Sequence, residues 1–208
     1  VADDGPYDIR PVLGALVDDG SLFELRTAFA PTVITGFATI GGHSVGIIAS
    51  QPLVDGGRID EAAAVKVGRF VELCDAYEFP IVSLVDSDGC VTTWPGEDGA
   101  PVSEPGVNRW HSRPIVAHQH RGVPLFRVQL RRARDLSGPI LAGSSNAASV
   151  PVFAVAWPTV ELGHLDGYGA VRNANAHDDV IDPAETRPRL LRMLGHLATA
   201  APAARNTK

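Results

Sequence analysis

Long hydrophobic runs are missing from these 208 residues. No stretch approaches the roughly twenty apolar residues that a membrane helix needs, so a membrane is not expected as a partner. Val1-Ala2-Asp3-Asp4 does not begin a secretory signal, and the absence of an initial Met fits a processed or trimmed N-terminus. Cysteine is scarce too. Cys74 and Cys90 are the only two, which excludes a disulfide framework. Cys74 falls on the apolar face of an expected helix, where a buried thiol in a reducing cytosol is the natural reading. Lysine occurs only at Lys66 and Lys208, so arginine supplies the other sixteen of the eighteen basic residues, a pattern that reads as genomic composition bias. Excess positive charge is also lacking. A net charge of −6 gives no reason to expect nucleic acid or an anionic membrane surface as partner.

The hydrophobic and charged fractions, 45 % and 20 %, are those of an ordinary globular protein, and the length suits one large domain of sheet and helix layers. The strongest local signal is Val33 to Gln51. Apolar or small residues alternate at Ile34, Gly36, Ala38 and Ile40, then at Val45, Ile47 and Ala49, around Gly41-Gly42. That is a hairpin pattern, because the favoured two-residue turns need positive φ. Asp60 then opens a helix whose apolar positions are Ala63, Val67, Phe70, Val71, Cys74 and Tyr77, and Pro80 to Val85 follows as a short buried strand. The order is ββα, then strand.

The rest of the chain follows the same alternation. Tyr7 to Val17 reads as a short helix with Asp8 as cap and Pro11 in its first turn, and Leu22 to Leu25 as a brief strand. From Asp86 to Arg109 the chain turns rich in Gly, Pro and acidic residues, either a functional lid or a disordered loop. A weak helix is expected from Ser112 to His120, strands at Val123 to Leu130 and Val152 to Trp157, a short helix at Gly138 to Ala148 and strand-rich chain from Glu161 to Val171. Asp182 and Pro183 open a closing helix with Leu190, Leu191, Leu194 and Leu197 inward, and the tail from 198 to 208 is expected to fray. Strands and helices in alternation argue for an α/β layer architecture.

Several stretches together resemble the C-terminal half of the carboxyltransferase subunit (β type) of biotin-dependent acyl-CoA carboxylases. They are Tyr7-Asp8-Ile9-Arg10 with Leu16 to Ser21, Phe29-Ala30-Pro31 with Thr35 to Ala38, Ile40-Gly41-Gly42, and Val45 to Ala49 with Gln51-Pro52. Arg69-Phe70-Val71, Cys74-Asp75-Ala76, Pro80-Ile81-Val82, Ala156 to Glu161, Gly169-Ala170-Val171 and Asp178 to Pro183 continue in the same order. The resemblance implies a crotonase-like superhelix of ββα units. It implies transfer of a carboxylate between carboxybiotin and the α-carbon of an acyl-CoA, with biotin borne by a carboxyl carrier partner. The N-terminal half of the pattern is not among these residues, so the resemblance also implies an oligomer with a subunit that carries it, in the cytoplasm. Decarboxylation of a malonyl-type thioester fits equally. A non-catalytic subunit of a carboxylase complex is the competing expectation, and new chemistry on the same scaffold is a third.

Both transfer partners develop negative oxygens, which call for preorganised backbone N–H donors on small residues. Here the chain departs from the family. The expected Pro-Gly-Phe appears as Asp88-Gly89-Cys90. The His-Gly-Ala-Lys of the biotin side appears as Trp110-His111-Ser112-Arg113. After Arg131-Arg132-Ala133, Tyr-Gly-Gly-Ala gives way to Arg134-Asp135-Leu136-Ser137-Gly138. His111, Ser112 and Gly138 are therefore the catalytic candidates, and Gly89, Cys90, Arg113 and Ser137 the candidates for touching substrate or biotin. His111 supplies either backbone donors with Ser112 or a side-chain acid or base; the alternative is an exposed His beside a helix cap. No metal is expected, since the H-x-H pair His118 and His120 would not share a helix face. Arg127, Arg131, Arg132 and Arg134 are either a carboxylate or phosphate contact or a solvated face.

Overall fold

The computed structural model describes residues 5–89, 94–95, 101–102, 123–133, 152–160 and 178–199. The expected helix over 112–120, the one over 138–148, the strand-rich piece over 161–171 and the tail beyond 199 lie outside these residues.

Helix α1 (Arg10–Leu16) starts with Pro11 in its first turn. Asp8 accepts the Arg10 N–H at 3.0 Å, although the residue at the cap position is Ile9. Strand β1 (Phe23–Leu25) pairs antiparallel with β2 (Val33–Ile40), which forms the expected hairpin with β3 (His43–Ser50). Gly41 and Gly42 at the turn have φ of 59° and 81°, as the tight two-residue connection requires. Helix α2 (Glu61–Ala76) is capped by Asp60, whose carboxylate accepts the Ala63 N–H at 2.7 Å. It ends where Glu78 takes φ 60°, the left-handed conformation that commonly stops a helix. Tyr77, expected on the inward face, is 64 % exposed because it lies just past the last helical turn, stacked on Phe79.

Strand β4 (Ile81–Ser87) returns parallel to β3 and is buried throughout. It runs two residues beyond the expected strand, so Asp86 and Ser87 belong to the sheet and not to the loop. Trp94–Pro95 (β5) and Pro101–Val102 (β6) form a separate two-stranded ribbon. Strands β7 (Leu125–Ala133), β8 (Val152–Ala156) and β9 (Asp179–Val180) complete a seven-stranded sheet in the order β1-β2-β3-β4-β7-β8-β9, parallel from β3 onward. A 3-10 turn at Pro183–Glu185, capped by Asp182, leads into α3 (Thr186–Thr199).

Helices cover both faces. Alternate residues of the strands (Ile34, Ala38, Val45, Ile47, Val82, Leu84, Phe126, Val128) pack under α1 and α3. The intervening ones (Val33, Ile48, Ile81, Val85, Leu125) pack under Ala63, Val67, Phe70 and Cys74 of α2. Burial on both faces explains the near-continuous apolar runs of β3 and β4. The inward leucines of α3 are as expected, with Leu190 and Leu194 fully packed and Leu191 and Leu197 partly so. Trp157 fixes that helix by donating its indole N–H to Thr186 Oγ1 at 2.9 Å.

Candidate functional site

In an open sheet with parallel strands, ligand sites form beyond the carboxyl ends of the strands. All of the expected site residues follow such an end. Gly89, Cys90, His111, Ser112 and Arg113 come between β4 and β7, and Ser137 and Gly138 come after β7. Of these the structure describes Gly89 alone; the other six lie outside the described residues.

What it does show is how the two strand ends are tied. Asp86, wholly buried, accepts four hydrogen bonds. Tyr7 Oη donates to Oδ2 at 2.7 Å and Arg131 Nε to the same oxygen at 2.9 Å. Arg132 donates to Oδ1 twice, from its backbone N–H at 3.2 Å and from Nε at 3.3 Å. Arg131 also lies over the Tyr7 ring, 4.7 Å from its centroid, and Arg132 Nη1 reaches on to Asp88 Oδ1 at 2.7 Å. Two carboxylates thus meet two guanidinium groups, so the buried charges are matched. Burial first, then the Asp86 carboxylate, keep the Tyr7 phenol protonated well above its ordinary range.

A local irregularity makes this possible. Between the Val85–Gln129 and Ser87–Ala133 pairs, two steps along β4 match four along β7. Such a bulge re-aims side chains, and it brings consecutive arginines onto one carboxylate. Asp86 also donates its backbone N–H to Ser50 Oγ at 3.1 Å, which draws in the end of β3. Beside it Gln51 accepts the Ile9 N–H and donates to Asp8 at 2.7 Å, joining the residues ahead of α1 to the same edge.

Gly89 is buried at φ 114°, a conformation that suits glycine alone. Its N–H donates to Ser87 Oγ at 3.1 Å and its carbonyl accepts the Ile59 N–H at 3.0 Å. The Gly89 N–H is therefore engaged by a side chain of the same chain.

The sequence reading missed Asp86, which it placed in the loop, and left the arginines as ligand contacts or a solvated face. Arg127 and Arg131 are instead buried and Arg132 nearly so. The available signal was that Asp86 continues an apolar run with no turn residue before it, while two adjacent arginines end another apolar run. Elsewhere, a shallow depression between β7, β8 and α3, with room for little more than a water molecule, is lined mostly by apolar side chains, with Arg127 and Arg189 as its charged members. Among the described residues no cluster of three or more His, Cys, Asp or Glu side chains is placed to hold a metal.

Comparison with known proteins agrees with this geometry. The carboxyl transferase domain family matches residues 1–175. The carboxyltransferase subunit of propionyl-CoA carboxylase from Haloferax mediterranei is 34 % identical over 91 % of this chain and 42 % of its own length. Methylmalonyl-CoA decarboxylase subunit alpha from Veillonella parvula is 32 % identical over 93 % of this chain and 42 % of its own. The hexameric transcarboxylase 12S crystal structure with hydrolysed methylmalonyl-coenzyme A bound superposes with a TM-score of 0.79 at 29 % identity, covering 99 % of this chain and 44 % of that one. The chain spans less than half the length of the relatives it matches. The α/β fold of crotonase type expected from the sequence is the one observed. With the family match extending over most of its residues, the chain belongs to the carboxyl transferase family.

Proposed function

We propose that this chain forms the C-terminal half of a carboxyltransferase that moves a carboxyl group onto or off the α-carbon of an acyl-CoA. It works with an N-terminal half, which holds most of the CoA, and with biotin carried on a partner protein in the cytoplasm. The observation that supports this reading is the collinear family match over residues 1–175, together with relatives whose names specify propionyl-CoA and methylmalonyl-CoA chemistry.

Carboxylated biotin would supply the carboxylate. The thioester side passes through a negative oxygen that needs fixed N–H donors. The chain's own contribution is rigidity. Asp86, Arg131, Arg132 and Tyr7 hold the carboxyl ends of β4 and β7, from which the candidate segments bearing Cys90, His111, Ser112, Arg113, Ser137 and Gly138 extend. His111 and Ser112 are proposed as the biotin-side donors, since they stand at the family's helix-start position. The free, buried thiol of Cys74 suits a reducing compartment.

Co-purification with the N-terminal half tests this directly. Biotin-dependent carboxylation of propionyl-CoA or acetyl-CoA, or decarboxylation of methylmalonyl-CoA, should require both halves. Unchanged turnover after replacing His111 and Ser112 with Pro, which removes their backbone N–H groups, would overturn their assignment. A second reading, a non-catalytic subunit, draws on the occupied Gly89 N–H and on the bulky residues at 110–113. A tight complex with no turnover of any acyl-CoA would favour it.

A further inference from the structure

Up to Gln129, strand β7 is fixed on both sides, since Gln129 is paired with Val85 of β4 and with Ala156 of β8. There the ladder to β8 ends, and β7 continues beside β4. A regular continuation would pair Ser87 with Arg131, yet Ser87 is paired with Ala133. The end of β7 therefore takes up two residues more than its neighbour. A shift of two residues, unlike a shift of one, restores the alternation of faces from Ala133 onward. Pleating alone therefore does not choose between the two registers.

The side chains show what does. Consecutive residues of a regular strand point to opposite faces. Continued regularly, β7 would turn Arg131 to the face of Leu125 and Val85, under α2. Instead Arg131 and Arg132 both reach Asp86 through Nε, at 2.9 Å and 3.3 Å. The Arg132 N–H, which the bulge leaves off the ladder, is accepted by Asp86 Oδ1 at 3.2 Å. Three of the four hydrogen bonds to this buried carboxylate thus come from the two residues that the bulge brings in, and the fourth from Tyr7. From these contacts we propose that Asp86 selects the bulged register of β7, and that without its carboxylate the strand end slips by two residues into the regular one.

The regular register would restore the backbone ladder to β4. The bulge wins because the carboxylate offers an acceptor for the Arg132 N–H and a counter-charge to both guanidinium groups. The Asp88–Arg132 ion pair, at 2.7 Å, does not oppose the slip, because the regular register sets these two residues opposite each other. At about 3.3 Å per residue, the slip moves the start of the chain beyond Ala133 by about 7 Å along the strand. Ser137 and Gly138 follow from that point, so Asp86 is a positioning residue for them. That consequence rests on the proposed carboxyltransferase reading, whereas the register is measurable without turnover.

The test is NMR on the full chain, reading backbone proton contacts between β4 and β7. The wild type should show Ser87 against Ala133. Asp86→Leu with Arg131→Met, which replaces a buried ion pair by apolar side chains and so spares the fold, should lose that contact and show Ser87 against residue 131. Asp86→Asn, which keeps the shape and one acceptor oxygen, should show both registers, and it decides the matter alone if the double variant does not fold. Tyr7→Phe, which leaves both arginines on the carboxylate, should show the wild-type contact only. Contacts between Val82 and Phe126, within the regular part of the ladder, should not move. Ser87 remaining against Ala133 alone in the folded Asp86 variants would overturn the inference, as would the regular pairing in the wild type or in Tyr7→Phe. Loss of the Val82–Phe126 contact in Asp86→Asn would mark a general loss of the sheet and overturn it too. In the complex with the N-terminal half, the slipped variant should lose about a hundredfold in kcat. Wild-type kcat from a slipped strand would overturn the positioning role. Turnover absent from the wild-type complex would count against the carboxyltransferase reading and leave the register result standing.

Discussion

Arg187 in the last helix meets Asp18, near the end of the first, at 2.6 Å across 169 residues of chain. The same carboxylate accepts the N–H of Gly41 on one oxygen and of Gly42 on the other, both at 2.8 Å. Arg187 also donates to Leu16 O. One aspartate therefore joins α1, the hairpin turn and α3.

Asp18 should make stability fall in acid. The Arg187 bond, then the Gly42 and Gly41 N–H groups, hold its pKa well below the ordinary 3.8. A lowered native pKa gives stability that is present above the unfolded value and lost as pH falls toward the native one. Asp18→Asn should lower Tm at pH 7, and the gap to wild type should close between about pH 4 and about pH 2. Thermal melts of both proteins across that range check it.

Lys66 should make stability rise with pH in the alkaline range. It is buried, donates to Phe29, Ala30 and Val33 carbonyls at 2.8, 3.2 and 2.7 Å, and burial pushes its pKa down to about 8 from 10.5. Between those values the unfolded chain holds a proton that the folded chain has released, so stability rises with pH across the window. Lys66→Met should cost about 2–3 kcal/mol at pH 7 by orphaning buried carbonyls. The wild type's advantage in chemical denaturation should widen from pH 8 to pH 10.5.

Asp86→Asn should be the most damaging single-atom exchange at the strand ends. It removes the Asp86 counter-charge from the buried Arg131 guanidinium and should cost about 3 kcal/mol in urea unfolding. Tyr7→Phe removes one hydrogen bond to the same carboxylate and should cost about 1 kcal/mol. A cost for Asp86→Asn no larger than that for Tyr7→Phe would show that the charge pairing is unimportant.

Gly46 and Cys74 should be strongly coupled. A Cβ at Gly46 would collide with Cys74 Sγ and press on Phe70 Cε1 at 3.3 Å. Gly46→Ala alone should cost about 2 kcal/mol through overpacking. In the Cys74→Ala background the same change should cost at least about 1 kcal/mol less, as a double-mutant cycle would read.

The site was far less legible than the fold, and particular residues show why. The hairpin around Gly41-Gly42, the Asp60 and Asp182 caps and the inward leucines of α3 all follow from local patterns of spacing and backbone chemistry. Asp86 does not. Its partners Arg131 and Arg132 lie 45 and 46 residues away, and no spacing tells which guanidinium a carboxylate will meet. Tyr77 shows a smaller failure of the same type, since helical spacing continued one residue past Ala76, the last residue before the turn at Glu78 ends the helix.

By itself the sequence determined the ββα unit and its α/β layering, because hydrophobic period, turn glycines and cap residues act within a few residues of themselves, while the family came from the resemblance of its collinear stretches. Tertiary structure alone decided that Asp86, Arg131 and Arg132 form a buried, charge-matched knot and that the Gly89 N–H is taken by Ser87. Those outcomes depend on strand register and on the β7 bulge, which bring distant groups into a space with too little water to leave any charge unmatched.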